Sequence, residues 1–276
     1  YGGNTVGTLD GGEGDDSFYG VFLNRWEYGK NPDSNEQVWT PHGSDISVVN
    51  KLLGGSGDDT FNIAERQYVG HDEVLIDGGT GYDTLKFATG YWIDAPWGDQ
   101  RNGWHDSILN TRNFEKFYLH EASVEWADES ALTDEVINAG LDFEIEISRS
   151  SPKIDASAET DASIIFRFDR ASSNPDEPIQ GGALGDSYFA DVDYEVVDRF
   201  KGNGGDDYFD GGSGIDIAYF SGNQADYSIS SSVSGLYERI TVSGTDGTDT
   251  LVNVETIRFD DGDVDVRPAG RTIKDS

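Results

Sequence analysis

Two segments of nine residues, both rich in glycine and aspartate, follow each other without a gap in the second half of the chain. They read GNGGDDYFD and GGSGIDIAY and together cover residues 202–219. Each approximates the pattern G-G-x-G-x-D-x-U-x, in which U is a large apolar residue. Six residues of such a unit form a tight turn, and the last three form a short strand with one inward side chain, here Phe209 or Ala218. A single unit buries no core, so the pattern predicts that successive units stack.

The same nonapeptide recurs upstream. Three further good copies begin at Gly11, Gly54 and Gly78. A weaker copy, GGALGDSYF, covers residues 181–189 and has Leu184 where the pattern has glycine, and GTDGTDTL, around Asp249, resembles a fragment of another copy. One isolated copy is no more than a Gly/Asp turn, but five good copies in one chain do not fit that interpretation.

The turns supply the oxygen donors that a hard cation prefers. Glycine at positive φ lets the backbone turn its carbonyl groups inward, and the sixth-place aspartate adds a carboxylate. A calcium ion takes about 6–8 oxygen ligands of these kinds. We therefore predict that several calcium ions are bound by residues at the first, third, fourth and sixth places of the repeats, namely Gly11, Glu13, Gly14, Asp16, Gly54, Ser56, Gly57, Asp59, Gly78, Thr80, Gly81, Asp83, Asp186, Gly202, Gly204, Gly205, Asp207, Gly211, Ser213, Gly214 and Asp216.

These repeats resemble those of the RTX family, the repeats-in-toxin or hemolysin-type calcium-binding modules of secreted bacterial proteins. The resemblance covers roughly half of the chain and is carried by the nonapeptides. It implies parallel β-roll or β-helix blocks filled with calcium, export by type I secretion, and a location outside the cell or at its surface. The family uses a C-terminal secretion signal, which agrees with the absence of a visible N-terminal signal peptide.

Charge and composition limit the partners. The chain has 19 basic and 53 acidic residues, and its net charge of −34 opposes a compact state unless cations neutralise it. An acidic, solvated surface of the halophilic kind is the alternative explanation. Nucleic acid and anionic membranes are poor partners for such a surface, and no apolar run is long enough to span a bilayer.

The chain has no cysteine, so bound metal would take the stabilising role that disulfides have in other secreted proteins. Because residue 1 is not methionine, we expect the chain to be part of a larger polypeptide.

We expect an all-β fold in four segments. Residues 1–89 form an N-terminal β-roll with a loop insertion at 21–50, residues 90–170 a β-rich connector with an aromatic loop, residues 171–221 a second β-roll, and residues 222–276 a β-hairpin cap. Alternating patterns at 113–119, 141–147 and 153–169 predict strands. SALTDEVINA, at 130–139, predicts a short helix with a serine cap. A polar cap keeps a stacked array soluble.

Three tryptophans lie close together in the predicted connector. Trp92, Trp97 and Trp104 alternate with acidic residues in GYWIDAPWGDQRNGWHD. Aromatic rings flanked by polar groups can stack on sugars, so an extracellular glycan or peptide is a candidate partner. The alternative is that these rings plug the end of a β-roll or anchor a long loop, since most aromatic side chains are structural.

Catalytic motifs are missing from the sequence. HEASV, at 120–124, begins like HExxH but has Val124 in place of the second zinc histidine. No G-x-S-x-G is present, and the four histidines lack metal-ligand spacing. The sequence therefore favours a calcium-dependent binding or adhesion module over an enzyme. Two alternatives remain: a structural and secretion module whose only ligand is calcium, and an accessory or catalytic part of a polysaccharide-active enzyme of the epimerase or lyase type.

Overall fold

Strands dominate every described part of the chain. A computed structural model describes residues 7–19, 26–30, 37–41, 49–63, 75–88, 111–120, 142–148, 154–170, 177–193, 195–234 and 237–266. These residues contain 22 β-strands and one short 3-10 helix but no α-helix, and nothing helical in them has the length and hydropathy of a membrane span. The expectation of an all-β fold is confirmed. The helix predicted at 130–139 and the three tryptophans lie outside the described residues.

The chain forms two compact units, residues 1–118 and 119–276. The strands of the first unit are β1 Gly7–Glu13, β2 Ser17–Tyr19, β3 Trp26–Lys30, β4 Gln37–Pro41, β5 Val49–Ser56, β6 Thr60–Ile63, β7 Leu75–Thr80, β8 Thr84–Ala88, β9 Thr111–Arg112 and β10 Lys116–His120. Strand β10 continues two residues beyond the boundary at residue 118. The division of the sequence into four segments stays a prediction beside these two units.

Parallel pairing organises the first unit. One sheet has the order β1-β5-β7-β9, and a second row has the order β10-β8-β6-β2. Each Gly/Asp turn connects a strand of the first sheet to a strand of the second row, so β5 leads into β6 and β7 leads into β8. Equivalent repeat positions face each other, since Gly55 pairs with Gly79 and Phe61 pairs with Leu85.

The core of the first unit lies between these two rows of strands. Leu52, Phe61 and Leu85 are completely buried. The ring of Phe61 stacks on Phe18 at 4.5 Å and meets Phe114 edge-on at 5.3 Å. The seventh to ninth residues of each repeat thus direct their middle side chain into the core, as the nonapeptide pattern predicts, because side chains alternate between the faces of a strand.

The insertion predicted as a loop at 21–50 contains regular structure. Strands β3 and β4 pair in antiparallel fashion, with Tyr28 opposite Trp39. Six residues separate these two strands. A hairpin is predicted from sequence when its connection has roughly two to five residues with turn signals, and so this segment resembled an aromatic-rich loop.

The second unit contains the remaining strands: β11 Asp142–Ser148, β12 Ser163–Asp169, β13 Ile179–Gln180, β14 Ser187–Phe189, β15 Arg199–Lys201, β16 Tyr208–Asp210, β17 Ile217–Tyr219, β18 Ser228–Ser234, β19 Tyr237–Ser243, β20 Thr248–Val252, β21 Thr256–Phe259 and β22 Gly262–Asp265. Its 3-10 helix is Gln224–Asp226. The strands predicted within 141–147 and 153–169 correspond to β11 and β12.

Two rows of strands also face each other in the second unit. Strands β11, β12, β14, β16 and β20 pair in parallel in that order, and β13, β15, β17 and β21 form the other parallel row. Arg199 pairs with Ile217, so the two consecutive nonapeptides complete one circuit of the stack. Phe166, Tyr188 and Phe209 are buried between the rows.

Antiparallel hairpins follow the repeats. Strand β18 pairs with β19, and β21 pairs with β22. The rings of Phe220, Tyr227 and Phe259 meet at centroid distances of 5.2 to 5.6 Å beneath them. The strands predicted for the C-terminal segment are therefore present.

Candidate cation sites in the stacked turns

Successive turns lie directly on one another. The backbone N–H groups of Gly14 and Gly57 donate to the carbonyl oxygens of Ser56 and Thr80 in the next turn, at 2.7 and 2.9 Å. Gly55 has a φ of 104°, which favours glycine, and a Cβ atom there would lie within 3 Å of the Gly12 carbonyl group. The second and fourth places of the repeat are therefore glycine because of backbone conformation and close stacking.

A column of carboxylates runs through the turns of the first unit, formed by Asp16, Asp59, Asp83 and Glu115. The N–H of Asp16 donates to Oδ1 of Asp59 at 2.8 Å, and the N–H of Asp59 donates to Oδ1 of Asp83 at 2.8 Å. The N–H of Asp83 donates to Oε2 of Glu115 at 2.6 Å. Each carboxylate therefore holds the turn before it in place, across sequence separations of 43, 24 and 32 residues.

The second carboxylate oxygen of each aspartate is left over. Oδ2 of Asp16, Asp59 and Asp83 is buried and accepts no hydrogen bond. A Cβ atom on Gly54 would lie within 3 Å of both Oδ2 of Asp59 and the carbonyl oxygen of Gly78. A carboxylate oxygen and a carbonyl oxygen thus converge at each first-place glycine of the first unit, and only glycine leaves that point open.

The second unit has two such columns. One is formed by Asp186, Asp207 and Asp249: the N–H of Asp186 donates to Oδ1 of Asp207 at 2.7 Å, and the N–H of Asp207 donates to Oδ1 of Asp249 at 2.9 Å. The other is formed by Asp198, Asp216 and Glu255. The N–H of Asp198 donates to Oδ1 of Asp216 at 2.7 Å, and the N–H of Asp216 donates to Oε2 of Glu255 at 2.9 Å.

Asp216 repeats the arrangement seen in the first unit. Its side chain is completely buried, and its Oδ2 accepts no hydrogen bond. A Cβ atom on Gly211 would lie within 3 Å of this oxygen and of the Asn253 carbonyl oxygen. The same convergence of two oxygens therefore occurs in both units.

The weak repeat differs from the good ones. Oδ1 of Asp186 accepts the N–H of Ile164 at 2.7 Å, and its Oδ2 accepts the N–H of Gly182 in its own turn at 2.6 Å. Both oxygens of Asp186 are therefore satisfied by backbone donors. This carboxylate needs a cation less than those of Asp59, Asp83 and Asp216.

Burial makes the ionised form of these aspartates unfavourable. It raises the pKa of Asp83 to about 6, of Asp207 to about 8 and of Asp216 to about 9. Backbone hydrogen bonds offset part of the rise, and repulsion from the neighbouring carboxylates of each column adds to it. A bound cation would reverse this balance because it stabilises the charged form.

The predicted ligands divide into two groups. A carboxylate oxygen of the sixth-place aspartate and a carbonyl oxygen of the adjacent turn converge at the first-place glycines Gly11, Gly54, Gly78, Gly181 and Gly211, whereas the nearest atoms at Gly202 are those of Asp207. The third and fourth places join one turn to the next, as Ser56 and Gly57 do through hydrogen bonds to the carbonyl oxygens of Gly12 and Thr80. Ser213 likewise donates its hydroxyl to the carbonyl oxygen of Val192. Their role as ligands stays a prediction. Within the described residues no three His, Asp or Glu side chains gather as an all-side-chain metal site, so a cation would also need backbone carbonyl oxygens.

Sequence reasoning missed three members of the columns. Asp198 is the sixth residue of the nonapeptide DYEVVDRFK, at 193–201, in which no glycine marks the turn. Glu115 and Glu255 end their columns in NFEKF and NVETI, and this shared Asn-x-Glu spacing is the signal that could have found them. Asp249, read as part of a repeat fragment, is a full member of its column.

No known protein was found that matches this chain. Comparison of the chain with models of known protein families, with curated proteins and with solved structures finds no match. Any statement of function therefore depends on the repeats and on the geometry of the turns.

Proposed function

We propose that the chain is a secreted, calcium-binding β-roll module of the RTX type that folds when it meets extracellular calcium. One observation supports this most directly: buried aspartate oxygens without a hydrogen-bond donor lie beside carbonyl oxygens of the adjacent turn. Asp16, Asp59, Asp83 and Asp216 each contribute such an oxygen. Hard cations bind carboxylate and carbonyl oxygen, and the residues present therefore fit calcium.

The burial of the columns argues against a purely halophilic explanation of the charge. A halophilic surface keeps its acids in water, whereas Asp59, Asp83 and Asp216 are 0% exposed. Removing an ionised carboxylate from water without a partner costs several kcal/mol. Several such groups in register would oppose folding at neutral pH. Cations bound between the turns would remove this cost and offset part of the net charge of −34.

Calcium fits these oxygens better than other common metals. Zinc prefers nitrogen and sulfur ligands, and magnesium demands a near-ideal octahedron and keeps much of its water. Backbone carbonyl groups fixed in stacked turns suit the larger and more adaptable sphere of calcium. Extracellular modules bind calcium at about 10⁻⁴–10⁻³ M. Because the sites form only when turns stack, binding and folding are coupled, and the chain stays unfolded and exportable where calcium is scarce.

Equilibrium dialysis against calcium tests the proposal. We expect several ions per chain, weak competition by magnesium, and a loss of bound calcium in Asp59→Asn. Asp142→Asn is the matched control, because Asp142 begins β11 and is exposed. A wild-type chain that binds no calcium in the millimolar range would refute the proposal.

A second proposal concerns the binding of an extracellular ligand by the three tryptophans of the connector. We propose that Trp92, Trp97 and Trp104 bind an extracellular glycan or peptide and make the module adhesive. Glycan and peptide arrays, probed in millimolar calcium and again in chelator, test this. Calcium-dependent binding that is lost when all three residues are alanine supports it. A folded protein that binds nothing favours the structural and secretion role, and turnover of an acidic polysaccharide favours the enzyme alternative.

A further inference from the structure

Two columns end in the same three-residue turn. In the first unit Asn113, Phe114 and Glu115 take the place of a six-residue turn, and in the second unit Asn253, Val254 and Glu255 do so. Both asparagines have positive φ, 60° and 51°, and so replace a glycine. The glutamate N–H donates to the carbonyl oxygen of Asp83 or Asp216 at 3.2 Å in both cases.

The asparagine side chains are fixed in the same way as well. Nδ2 of Asn113 donates to Oδ1 of Asp77 at 2.6 Å, and Nδ2 of Asn253 donates to Oδ1 of Asp210 at 2.8 Å. Both acceptors come directly before the Gly-Gly pair of the preceding repeat. The middle residue of each short turn is buried in the core. Two separate parts of the sequence have therefore built one and the same end turn.

These end turns present oxygens to the last full repeat. A Cβ atom on Gly78 would lie within 3 Å of the Asn113 carbonyl oxygen and of Oδ2 of Asp83. Gly211 has the same relation to the Asn253 carbonyl oxygen and to Oδ2 of Asp216. Both aspartate side chains are 0% exposed, and their Oδ2 atoms accept no hydrogen bond. A buried, unpartnered oxygen is therefore aimed at each end turn.

We propose that each Asn-x-Glu turn completes a terminal cation site, in which an asparagine carbonyl oxygen and a glutamate carboxylate take the places of the glycine carbonyl and aspartate carboxylate of a full repeat. The inference rests on the proposed function and deepens it, because it assigns one cation to the last full repeat of each of these two columns. Asp83 and Glu115 belong to one site, and Asp216 and Glu255 belong to the other.

The negative charge of the glutamate distinguishes this role from a structural one. Oε2 of Glu115 accepts the N–H of Asp83, and the amide oxygen of glutamine could accept the same hydrogen bond. The carboxylate, in contrast, repels Asp83, and Glu255 repels Asp216. A charge at this position is unfavourable without a cation and favourable with one.

Glutamate-to-glutamine variants test the terminal sites. Glu115→Gln, Glu255→Gln and the double variant are compared with wild type and with Asp142→Asn, which removes an exposed charge at the start of β11. The folding equilibrium constant is measured against free calcium by urea unfolding. Each saturated site multiplies this constant about tenfold for every tenfold rise in free calcium. We expect each single variant to lose one such factor, the double variant to lose two and the control to lose none.

Folding in chelator, induced by a stabilising osmolyte, gives the second readout. Without calcium, each variant should fold at a lower osmolyte concentration than wild type, because the glutamate no longer repels Asp83 or Asp216. Unchanged calcium dependence in both variants, or weaker folding in chelator and calcium alike, would overturn the inference while leaving the proposed function intact. A wild-type chain whose folding ignores calcium would overturn both.

Direct location of the ions covers the case in which the variants do not fold. Terbium replaces calcium at oxygen sites, and its anomalous scattering in crystals of the wild-type chain marks each bound ion. Peaks beside the carbonyl oxygens of Asn113 and Asn253 would support the inference. Peaks between full repeats without any at these two positions would overturn it.

Discussion

Replacing Asp83 by asparagine should change the stability of the chain in opposite directions with and without calcium. The carboxylate of Asp83 is 0% exposed, and burial together with repulsion from Glu115 and Asp59 raises its pKa to about 6, from an ordinary value of 3.8. The difference is about two pKa units, each equivalent to about 1.36 kcal/mol. At about pH 8, where this group is ionised in both states, Asp83→Asn should therefore stabilise the calcium-free fold by at most about 3 kcal/mol.

In saturating calcium the same substitution removes a charged ligand and should destabilise the fold. Urea unfolding in millimolar calcium, and osmolyte-induced folding in chelator, both followed by circular dichroism, measure the two signs. Osmolytes favour the buried state by their exclusion from the protein surface and so give a folding midpoint even for an unstable chain. Asp142→Asn is the exposed control. Destabilisation of similar size in both conditions would show instead that Asp83 acts only through its hydrogen bonds and not as a calcium ligand.

Three further predictions concern pH, the turns and the core. In chelator, acidification from about pH 9 to about pH 4 should favour folding, because the raised pKa values of Asp207 and Asp216, about 8 and 9, let the folded state hold protons that the unfolded chain releases. In calcium the trend should reverse; osmolyte-induced folding midpoints in chelator and urea midpoints in calcium, each measured across pH, test the two signs. Gly12→Ala, at a φ of 92° with open space around it, should lower the free energy of unfolding by about 1–2 kcal/mol. Gly55→Ala, at a φ of 104° against the Gly12 carbonyl group, should lower it by roughly 1–3 kcal/mol more, and equal effects in urea unfolding would contradict the stacking of the turns. Phe61→Ala should cost about 3–5 kcal/mol in calcium, and Val192→Ala, at a residue 65% exposed, should change stability by less than about 0.5 kcal/mol; a small effect at Phe61 would show that the core between the strand rows is wrongly assigned.

The nonapeptide pattern predicts the local geometry well because every place in it has one physical cause. Gly55 is glycine because of its backbone conformation and close stacking, and Phe61 is apolar because it enters the core. The pattern cannot say which turn lies on which. Asp16 bonds to Asp59 across 43 residues, and the separations within a column vary with the insertions on the way.

Columns could be completed only with the fold in view. Asp198 belongs to one although no glycine precedes it, since its place follows from the pairing of neighbouring strands. Glu115 and Glu255 escape a search for aspartate because the end turn is shorter and the longer side chain reaches the same N–H group. The repeat at 181–189 also shows that the repeated spacing does not always leave a carboxylate oxygen without a donor, because the N–H of Gly182 donates to Oδ2 of Asp186.

If calcium makes this chain fold, far-ultraviolet circular dichroism during a calcium titration should show the transition. Starting in chelator at neutral pH, we expect a spectrum without β-structure that changes cooperatively to a β spectrum at free calcium on the order of 10⁻⁴–10⁻³ M. Magnesium at the same concentration should not produce the change. A β spectrum and a urea midpoint that are identical in chelator and in calcium would show that the chain folds without calcium.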